Sequence, residues 1–248
     1  MYSNPDLSVC VLAGGQQSNL LRFLDAVTGN DNYLELEVVV VNQHFSYPEL
    51  ADCLKDFPKT VALECPAGLS KPRAFNIGLR KCRGRYLSFW DQESLPEPGC
   101  LLMLVDFLDK NPEVGLAVPK LRNQKGVIQP VARSLPGLFS FLCPFGLPGK
   151  PDPGWSDYSS GEASWLTGPG LTANRYLLDE AGYLSEKLPS LWSLDLCLKA
   201  LKAGWHCCYR HDAQAEADIY QWLGEVNRPG LQLWERLIVT VSRLRFIY

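Results

Sequence analysis

Short apolar runs alternate with stretches of helical spacing through the first half of this chain, and this alternation limits the folds it can adopt. The runs are nearly continuous in bulky apolar residues, as strands covered on both faces are. The stretches between them repeat apolar residues every three or four positions. We therefore expect a single α/β domain, Rossmann-like, with a mostly parallel central sheet and helices on both faces. The predicted strands include residues 7–12, 36–41, 61–63, 85–90 and 114–118.

Two acids follow directly on the most aromatic of these strands. Asp91 and Glu93 are separated by one residue and come after the run at 85–90. In open α/β sheets, ligands bind at the carboxyl ends of the strands. Carboxylate oxygens there can hold a hard divalent cation, which in turn can bind a diphosphate. The pair predicts a candidate site for a nucleotide sugar.

Composition excludes several classes of protein. The 248 residues carry a net charge of −3, so no basic field favours nucleic acid. No apolar run approaches the roughly 20 residues of a transmembrane helix, and the first residues lack the pattern of a signal peptide. Nine cysteines, an odd number, are scattered without a C-x-x-C pair. We expect a reduced, cytoplasmic protein without structural zinc.

Two segments depart from the alternation. Residues 136–161 are rich in proline and glycine and predict a long irregular loop, which is uncommon unless it has a function such as a lid. Residues 231–248 combine apolar side chains at helical spacing with three arginines. This run fits a helix on the cytoplasmic face of a membrane, or one packed on its own domain or a partner. We expect the main domain at 1–222 and an amphipathic tail at 223–248.

Five pieces of sequence, in order, resemble the family 2 glycosyltransferases with a GT-A fold, and in particular the rhamnosyltransferase-like group. Any one piece is weak, but their order makes chance unlikely, and they extend the resemblance over roughly residues 7–215. The resemblance implies an inverting, metal-dependent enzyme that uses a nucleotide-sugar donor, Mn²⁺ or Mg²⁺, and a glycan or lipid-linked acceptor. Its setting would be polysaccharide biosynthesis. The pieces are residues 84–99, 104–109, 111–115, 165–168 and 195–205.

The resemblance also implies site residues, and several depart from the family pattern. Asp91 and Glu93 would hold the metal, although the family has a second Asp where this chain has Glu93. The first strand commonly ends in Thr-Tyr-Asn in the family, and the second in Asp. Here the first strand ends in Ala-Gly-Gly and the second in Asn. The donor-binding residues that the resemblance implies are Ala13, Gly14, Gly15, Asn42, Arg73, Asn76 and Asp91; Lys71 lies in the same loop and helix, and His44 follows the second strand.

The catalytic base is the weakest part of the resemblance. The family usually has Glu-Asp just before its Asp-Leu-Cys-Leu helix, and this chain is one residue shorter there. Asp195 is the candidate base, but an acid in the first turn of a helix, four residues before Lys199, is also an ordinary surface feature. A final His that often assists the metal is also missing; Glu216 and Asp218 lie in that stretch.

These departures leave a second function open. The chain is either an active transferase or a catalytically inactive member of the fold, kept as a binding or assembly subunit. A nucleotidyltransferase of similar fold is less consistent, because the first strand is not followed by a glycine-rich, lysine-containing loop. Phosphate-loop and nucleophile-elbow motifs are absent from the sequence, which disfavours P-loop enzymes and hydrolases.

Overall fold

The computed structural model describes residues 4–29, 33–43, 50, 54–135 and 158–222. The elements of the first part are β1 (Leu7–Ala13), α1 (Gln17–Gly29), β2 (Leu36–Asn42), a 3₁₀ turn (Leu54–Asp56), β3 (Thr60–Glu64), α2 (Lys71–Leu79), β4 (Tyr86–Asp91), β5 (Leu95–Pro96) and α3 (Cys100–Lys110). The elements of the second part are β6 (Val114–Arg122), β7 (Ile128–Gln129), β8 (Ala132–Arg133), β9 (Gly161–Glu162), β10 (Trp165–Leu166), β11 (Leu171–Asn174), α4 (Arg175–Ala181), α5 (Trp192–Lys202), β12 (His206–Glu216) and α6 (Ile219–Trp222).

One large sheet organises the chain, in the order β3-β2-β1-β4-β11-β6-β12-β5. The first four strands are parallel, and β12 is parallel to β6. Strand β11 runs antiparallel between β4 and β6, and the short β8 and β10 form a separate pair. The predicted α/β class with a mostly parallel central sheet and helices is confirmed.

The strands β1 and β2 are buried at every position, as their apolar runs predict. Helix α2 approaches this layer closely. A Cβ on Gly78 would lie only 2.4 Å from Sγ of Cys10 in β1 and 2.7 Å from Cγ2 of Val41 in β2. Only glycine lets the helix backbone come so near the sheet. This glycine sets how closely the end of α2 packs on the sheet.

Most predicted elements are present, and some are longer than expected. Strand β6 extends to Arg122, and β12 continues through the segment from 210 to 216 where the sequence showed no strand pattern. Of the predicted helix at 47–57, the structure describes only residue 50 and residues 54–57, which include the 3₁₀ turn. The seven cysteines in the described ranges are buried free thiols. Nearly all of the predicted loop at 136–161, the tail at 223–248 and His44 lie outside the described residues.

Membrane contact was expected, if anywhere, from the C-terminal tail rather than from a spanning helix. Among the helices of the described ranges, none is both long enough and apolar enough to cross a bilayer.

Candidate functional site

The ends of three neighbouring parallel strands bring the predicted site residues together. In the pairing of β1 with β2, Ala13 lies opposite Asn42. In the pairing of β1 with β4, Leu12 lies opposite Asp91. Because parallel strands end at the same edge of a sheet, Asn42, Ala13 and Asp91 lie side by side at the carboxyl edge. We call this the strand-end site.

The Asp91 carboxylate closes the turn that follows β4. Its Oδ1 accepts a hydrogen bond from Oγ of Ser94, and its main-chain carbonyl accepts one from the Ser94 amide. Burial raises the pKa of the Asp91 carboxyl above its ordinary value, and the negative charge of Glu93 adds to this rise. The positive charge of Lys71 and the hydrogen bond from Ser94 act in the opposite direction. The pKa of Asp91 is therefore influenced by one like and one opposite charge.

Glu93 is exposed and is turned toward the segment between β1 and α1. Its Oε2 accepts a hydrogen bond from Nδ2 of Asn19 at 2.6 Å, and its Oε1 accepts one from Nε2 of Gln92 at 3.2 Å. Both acids belong to one turn, but each carboxylate has its own hydrogen-bond donors. A cation shared by Asp91 and Glu93 would have to replace some of these contacts.

Gln92, between the two acids, is buried and ties the turn to the end of β1. Its Oε1 accepts a hydrogen bond from the amide of Gly14, and its Nε2 donates one to the carbonyl of Gln16, each at 3.1 Å. Gly15 leaves the room for this contact, because a Cβ there would lie 2.5 Å from Nε2 of Gln92 and 2.6 Å from Oε1 of Glu93. A Cβ on Gly14 would meet nothing within 4 Å. A Cβ at position 15 would therefore displace the ends of Gln92 and Glu93, while one at position 14 would not.

Asn42 is almost fully buried and faces the next strand outward. Its Nδ2 lies 3.1 Å from each carboxylate oxygen of Glu64, the last residue of β3. The amide therefore positions a carboxylate at the strand-end site.

Helix α2 contributes three of the candidate residues, which differ in burial and in the contacts they make. Lys71 is half-buried; its ammonium donates to the main-chain carbonyl of Trp222 and lies 4.3 Å from the centroid of that indole ring. Arg73 is exposed, 3.9 Å from a carboxylate oxygen of Glu186. Asn76 is buried, donates to the carbonyl of Leu184 and to Glu186, and accepts from the amide of Leu184. These contacts hold the loop before α5, so a role for Asn76 in donor binding stays a prediction.

Asp195, the candidate base, forms an ion pair within its own helix. Its Oδ2 lies 2.9 Å from Nζ of Lys199, one helical turn later, and its side chain is 18% exposed. This is the ordinary arrangement that the four-residue spacing also predicted. The catalytic role of Asp195 stays a prediction.

An aromatic cluster fills the space between α2, β4, α5 and α6. The ring of Trp192, at the start of α5, lies 5.6 Å from Phe75, 5.5 Å from Phe89 and 6.2 Å from Trp222 between centroids. All four side chains are buried. The start of α5, where the family has its acidic pair, is therefore packed against apolar rings.

On its other side, Glu93 opens onto a polar cavity of about 260 Å³. Its lining combines three acids with two amides and one lysine, contributed by Glu93, Asn123, Gln124, Lys125, Glu216 and Asp218, together with Ala217. Glu216 and Asp218, in the stretch that corresponds to the missing His, thus line the same cavity as Glu93, although more than 120 residues separate them from Glu93 in the sequence.

The donor set fits a hard cation only together with a ligand. No group of three His, Cys, Asp or Glu side chains within the described ranges is placed to hold a metal. Mg²⁺ is commonly bound by one or two carboxylates plus substrate phosphates, and Asp91 and Glu93 supply two such groups at the sheet edge. The residues present are therefore sufficient in chemistry for a cation that arrives with a diphosphate.

Sequence reasoning missed three contacts of this site. It did not identify the contacts made at this site by Glu64, by Gln92, and between Lys71 and Trp222. Glu64 directly follows the predicted strand at 61–63, so its position was a usable signal. The packing of Gln92 on Gly15 and the approach of Trp222 had no such signal in the sequence.

The mostly parallel sheet with its flanking helices matches the fold of GT-A glycosyltransferases. The model of the family described as "Glycosyl transferase family 2" matches residues 8–156, more than half of the chain. The chain belongs to glycosyl transferase family 2. No curated protein sequence matches it.

Solved structures share the fold at low sequence identity. The structure of GalNAc-T7 with UDP, GalNAc and Mn²⁺ has a TM-score of 0.68 at 13% identity, over 86% of this chain and 43% of that one. Residues 1–349 of TarS from S. aureus have a TM-score of 0.64 at 17% identity, over 89% of this chain and 63% of that one. The mannosyltransferase PcManGT from Pyrobaculum calidifontis was solved in complex with GDP-Man and Mn²⁺. It has a TM-score of 0.63 at 16% identity, over 89% of this chain and 60% of that one. The chain thus spans about two fifths to three fifths of the length of these proteins.

Proposed function

We propose that this protein transfers a sugar from a nucleotide-sugar donor to a hydroxyl group of a glycan or lipid-linked acceptor, with inversion. The observation that carries the proposal is the register that aligns Asn42, Ala13 and Asp91 at one sheet edge in a family 2 chain. Structural neighbours solved with UDP or GDP-Man support a nucleotide-sugar ligand. Polysaccharide biosynthesis in the cytoplasm, with residues 223–248 on a membrane surface, is the setting we propose.

Asp91 and Glu93 are the residues we propose for a divalent cation, Mn²⁺ or Mg²⁺. Two of the neighbours were solved with Mn²⁺, which supports the choice. When bound, such a cation would offset the negative charge that develops on the leaving diphosphate. Lys71, near Asp91 at the start of α2, adds a positive charge of the protein itself on the same side.

The chain's own part in the chemistry is to remove a proton from the acceptor hydroxyl as it attacks the anomeric carbon. We propose that Asp195 is this base. We also propose that the chain belongs to the rhamnosyltransferase-like group within the family. Asp195 is paired with Lys199, and a base in that state must exchange its partner for the acceptor hydroxyl.

A second candidate function is that of an inactive, glycosyltransferase-like binding or assembly subunit. The aromatic packing at the start of α5 favours it, because Trp192 lies among three buried rings where a base would be needed. In this alternative the strand-end site binds a nucleotide without turning it over.

Binding is tested by thermal denaturation with UDP-, GDP-, dTDP- and CDP-sugars in the presence of Mn²⁺ or Mg²⁺. We expect at least one donor to raise the Tm, and Asp91→Ala to abolish the rise. An unchanged Tm across all four donors would contradict both candidate functions at this site.

Turnover separates the two candidates. Release of the nucleoside diphosphate with a glycan acceptor, lost in Asp195→Asn and kept in Asp179→Asn, supports the transferase. Both variants are conservative, and Asp179 lies on the exposed side of α4. Donor binding without release under any acceptor supports the inactive subunit.

A further inference from the structure

The strand-end site contains a carboxylate that the sequence comparison did not assign. Glu64 ends β3 and lies opposite Asn42 in the pairing of β2 with β3. The Asn42 side chain is 1% exposed, and its Nδ2 lies 3.1 Å from both Glu64 oxygens. The main-chain carbonyl of Asn42 also accepts a hydrogen bond from the amide of Cys65, directly after Glu64. Glu64 is therefore held at its side chain and at the adjacent backbone.

Glu64 keeps most of its capacity to accept hydrogen bonds. An ionised carboxylate has about four acceptor positions, and the Asn42 amide faces only one side of it. Throughout the described ranges, neither the ion pairs nor the remaining hydrogen bonds include the Glu64 carboxylate. The side chain is exposed to solvent. Two fixed oxygens with free acceptor positions thus lie at the outer end of the strand-end site.

Two neighbouring hydroxyl groups match such a fork. The N1–H and N2–H edge of guanine also offers two donors, but only the ribose hydroxyls are present whatever the base. The two hydroxyls of a ribose ring can each donate to one carboxylate oxygen, as acids at strand ends do in dinucleotide-binding folds. An imino group of a pyrimidine base has only one donor, flanked by two carbonyl oxygens that a carboxylate would repel. A phosphate would be repelled outright.

We infer that Glu64, positioned by Asn42, is a specificity residue that accepts hydrogen bonds from the 2′- and 3′-hydroxyls of a ribonucleotide donor. This inference rests on the proposed function, since it requires a nucleotide at the strand-end site. It goes further by assigning the ribose contact to β3, the edge strand, and by predicting a donor with ribose rather than deoxyribose. Asn42 acts through Glu64 as a positioning residue.

Calorimetric titration of the full chain with UDP and GDP, and with dUDP and dGDP, tests the inference. Of UDP and GDP, we consider the one that wild type binds more tightly. We expect its affinity to exceed that of its 2′-deoxy form by a factor of about ten or more, as a hydrogen bond to a charged group allows. In Glu64→Gln this preference falls to about two-fold or less. The affinity for inorganic pyrophosphate stays unchanged, because that probe has no ribose.

Glu113→Gln is the matched control, since Glu113 is exposed and precedes β6 rather than ending a strand. Circular dichroism and the Tm check that both variants fold; Gln at 64 still accepts from the Asn42 amide through its Oε1. Equal binding of the ribo- and deoxyribonucleotides by wild type overturns the inference, and so does a preference that survives in Glu64→Gln. Tight dTDP binding alone would overturn the inference while leaving the proposed function intact, whereas absence of binding by every nucleotide would overturn both.

Discussion

The ammonium group of Lys71 donates a hydrogen bond to the main-chain carbonyl of Trp222 and lies 4.3 Å from the centroid of its indole ring. The two residues are 151 positions apart. Their contact joins the start of α2 to the last described helix. The positive charge of Lys71 also acts on Asp91, where it opposes the rise of the carboxyl pKa. The same lysine thus serves the fold and the candidate site.

Lys71→Met should weaken both the stability of the fold and the binding of donor at the candidate site. Methionine keeps the apolar stem but loses the hydrogen bond and the cation–π contact, so we expect a loss of about 1–3 kcal/mol in the free energy of unfolding. Urea denaturation measures it, and the Tm rise with donor should shrink in parallel. Lys81→Met, at an exposed position, is the control; if the two variants were equally stable, the contact would contribute nothing.

Gly15→Ala should disturb the acid pair more than the fold. The added Cβ would meet the ends of two flexible side chains, Gln92 and Glu93, which can move aside at modest cost. We expect a stability change within about 1–2 kcal/mol but weaker cation-dependent donor binding, because Gln92 loses its place against Gly14. Calorimetry with donor and Mn²⁺ measures the effect. Gly29→Ala, at the end of α1 and away from the strand-end site, meets no atom within 4 Å and should bind like wild type; equal losses in both variants would argue against this account.

Gly78→Ala should destabilise the fold itself. Here the added Cβ would lie 2.4 Å from Sγ of Cys10 and 2.7 Å from Cγ2 of Val41, both inside the buried sheet. Overpacking of this kind costs about 1–3 kcal/mol, and we expect a loss in that range by chemical denaturation. Gly29→Ala, at the end of α1 with open space around it, should change stability by no more than about 1 kcal/mol. A Gly78→Ala protein as stable as this control would mean that α2 can lift from the sheet.

Glu37 should make stability depend on pH. Its carboxylate accepts from Oγ of Ser8 at 2.7 Å and from Nη2 of Arg83 at 2.9 Å, in a nearly buried setting. Burial alone would raise the pKa of Glu37, but these hydrogen bonds outweigh it and lower the pKa below its ordinary value. The folded state thus holds the proton less tightly than the unfolded state, so the contribution is present at neutral pH and is lost as the pH falls through the lowered pKa.

Glu37→Gln is therefore expected to cost about 1–3 kcal/mol at pH 7. The difference from wild type should narrow in strongly acidic solution, where Glu37 is protonated in both states. Denaturation curves at several pH values measure the trend. Asp106→Asn removes an exposed pair with Lys110 and should cost less than about 0.5 kcal/mol. A cost for Glu37→Gln that does not change with pH would contradict the assigned hydrogen bonds.

The fold class was predictable because burial leaves a periodic record in the chain. Strands β1, β2 and β4 were found from runs of apolar residues, and Asp91 was placed at a strand end for the same reason. Strand β12 was predicted too short, because its second half, after Tyr209, alternates charged and small residues without a strong strand pattern. Pairing with β6 and β5 holds that half in the sheet, and no local signal encodes such pairing.

For the candidate site, the sequence predicted which types of residue are present but not which residues they contact. The sequence by itself determined that an acid, an amide and small residues end adjacent strands, because strand ends follow from local patterns of burial and turns. Only the tertiary structure decided that Asn42 holds Glu64, that Gln92 packs on Gly15, and that Asn76 supports the loop at 184–186. The physical reason is that a side-chain hydrogen bond depends on a few ångströms and a rotamer, which distant elements set when they pack together.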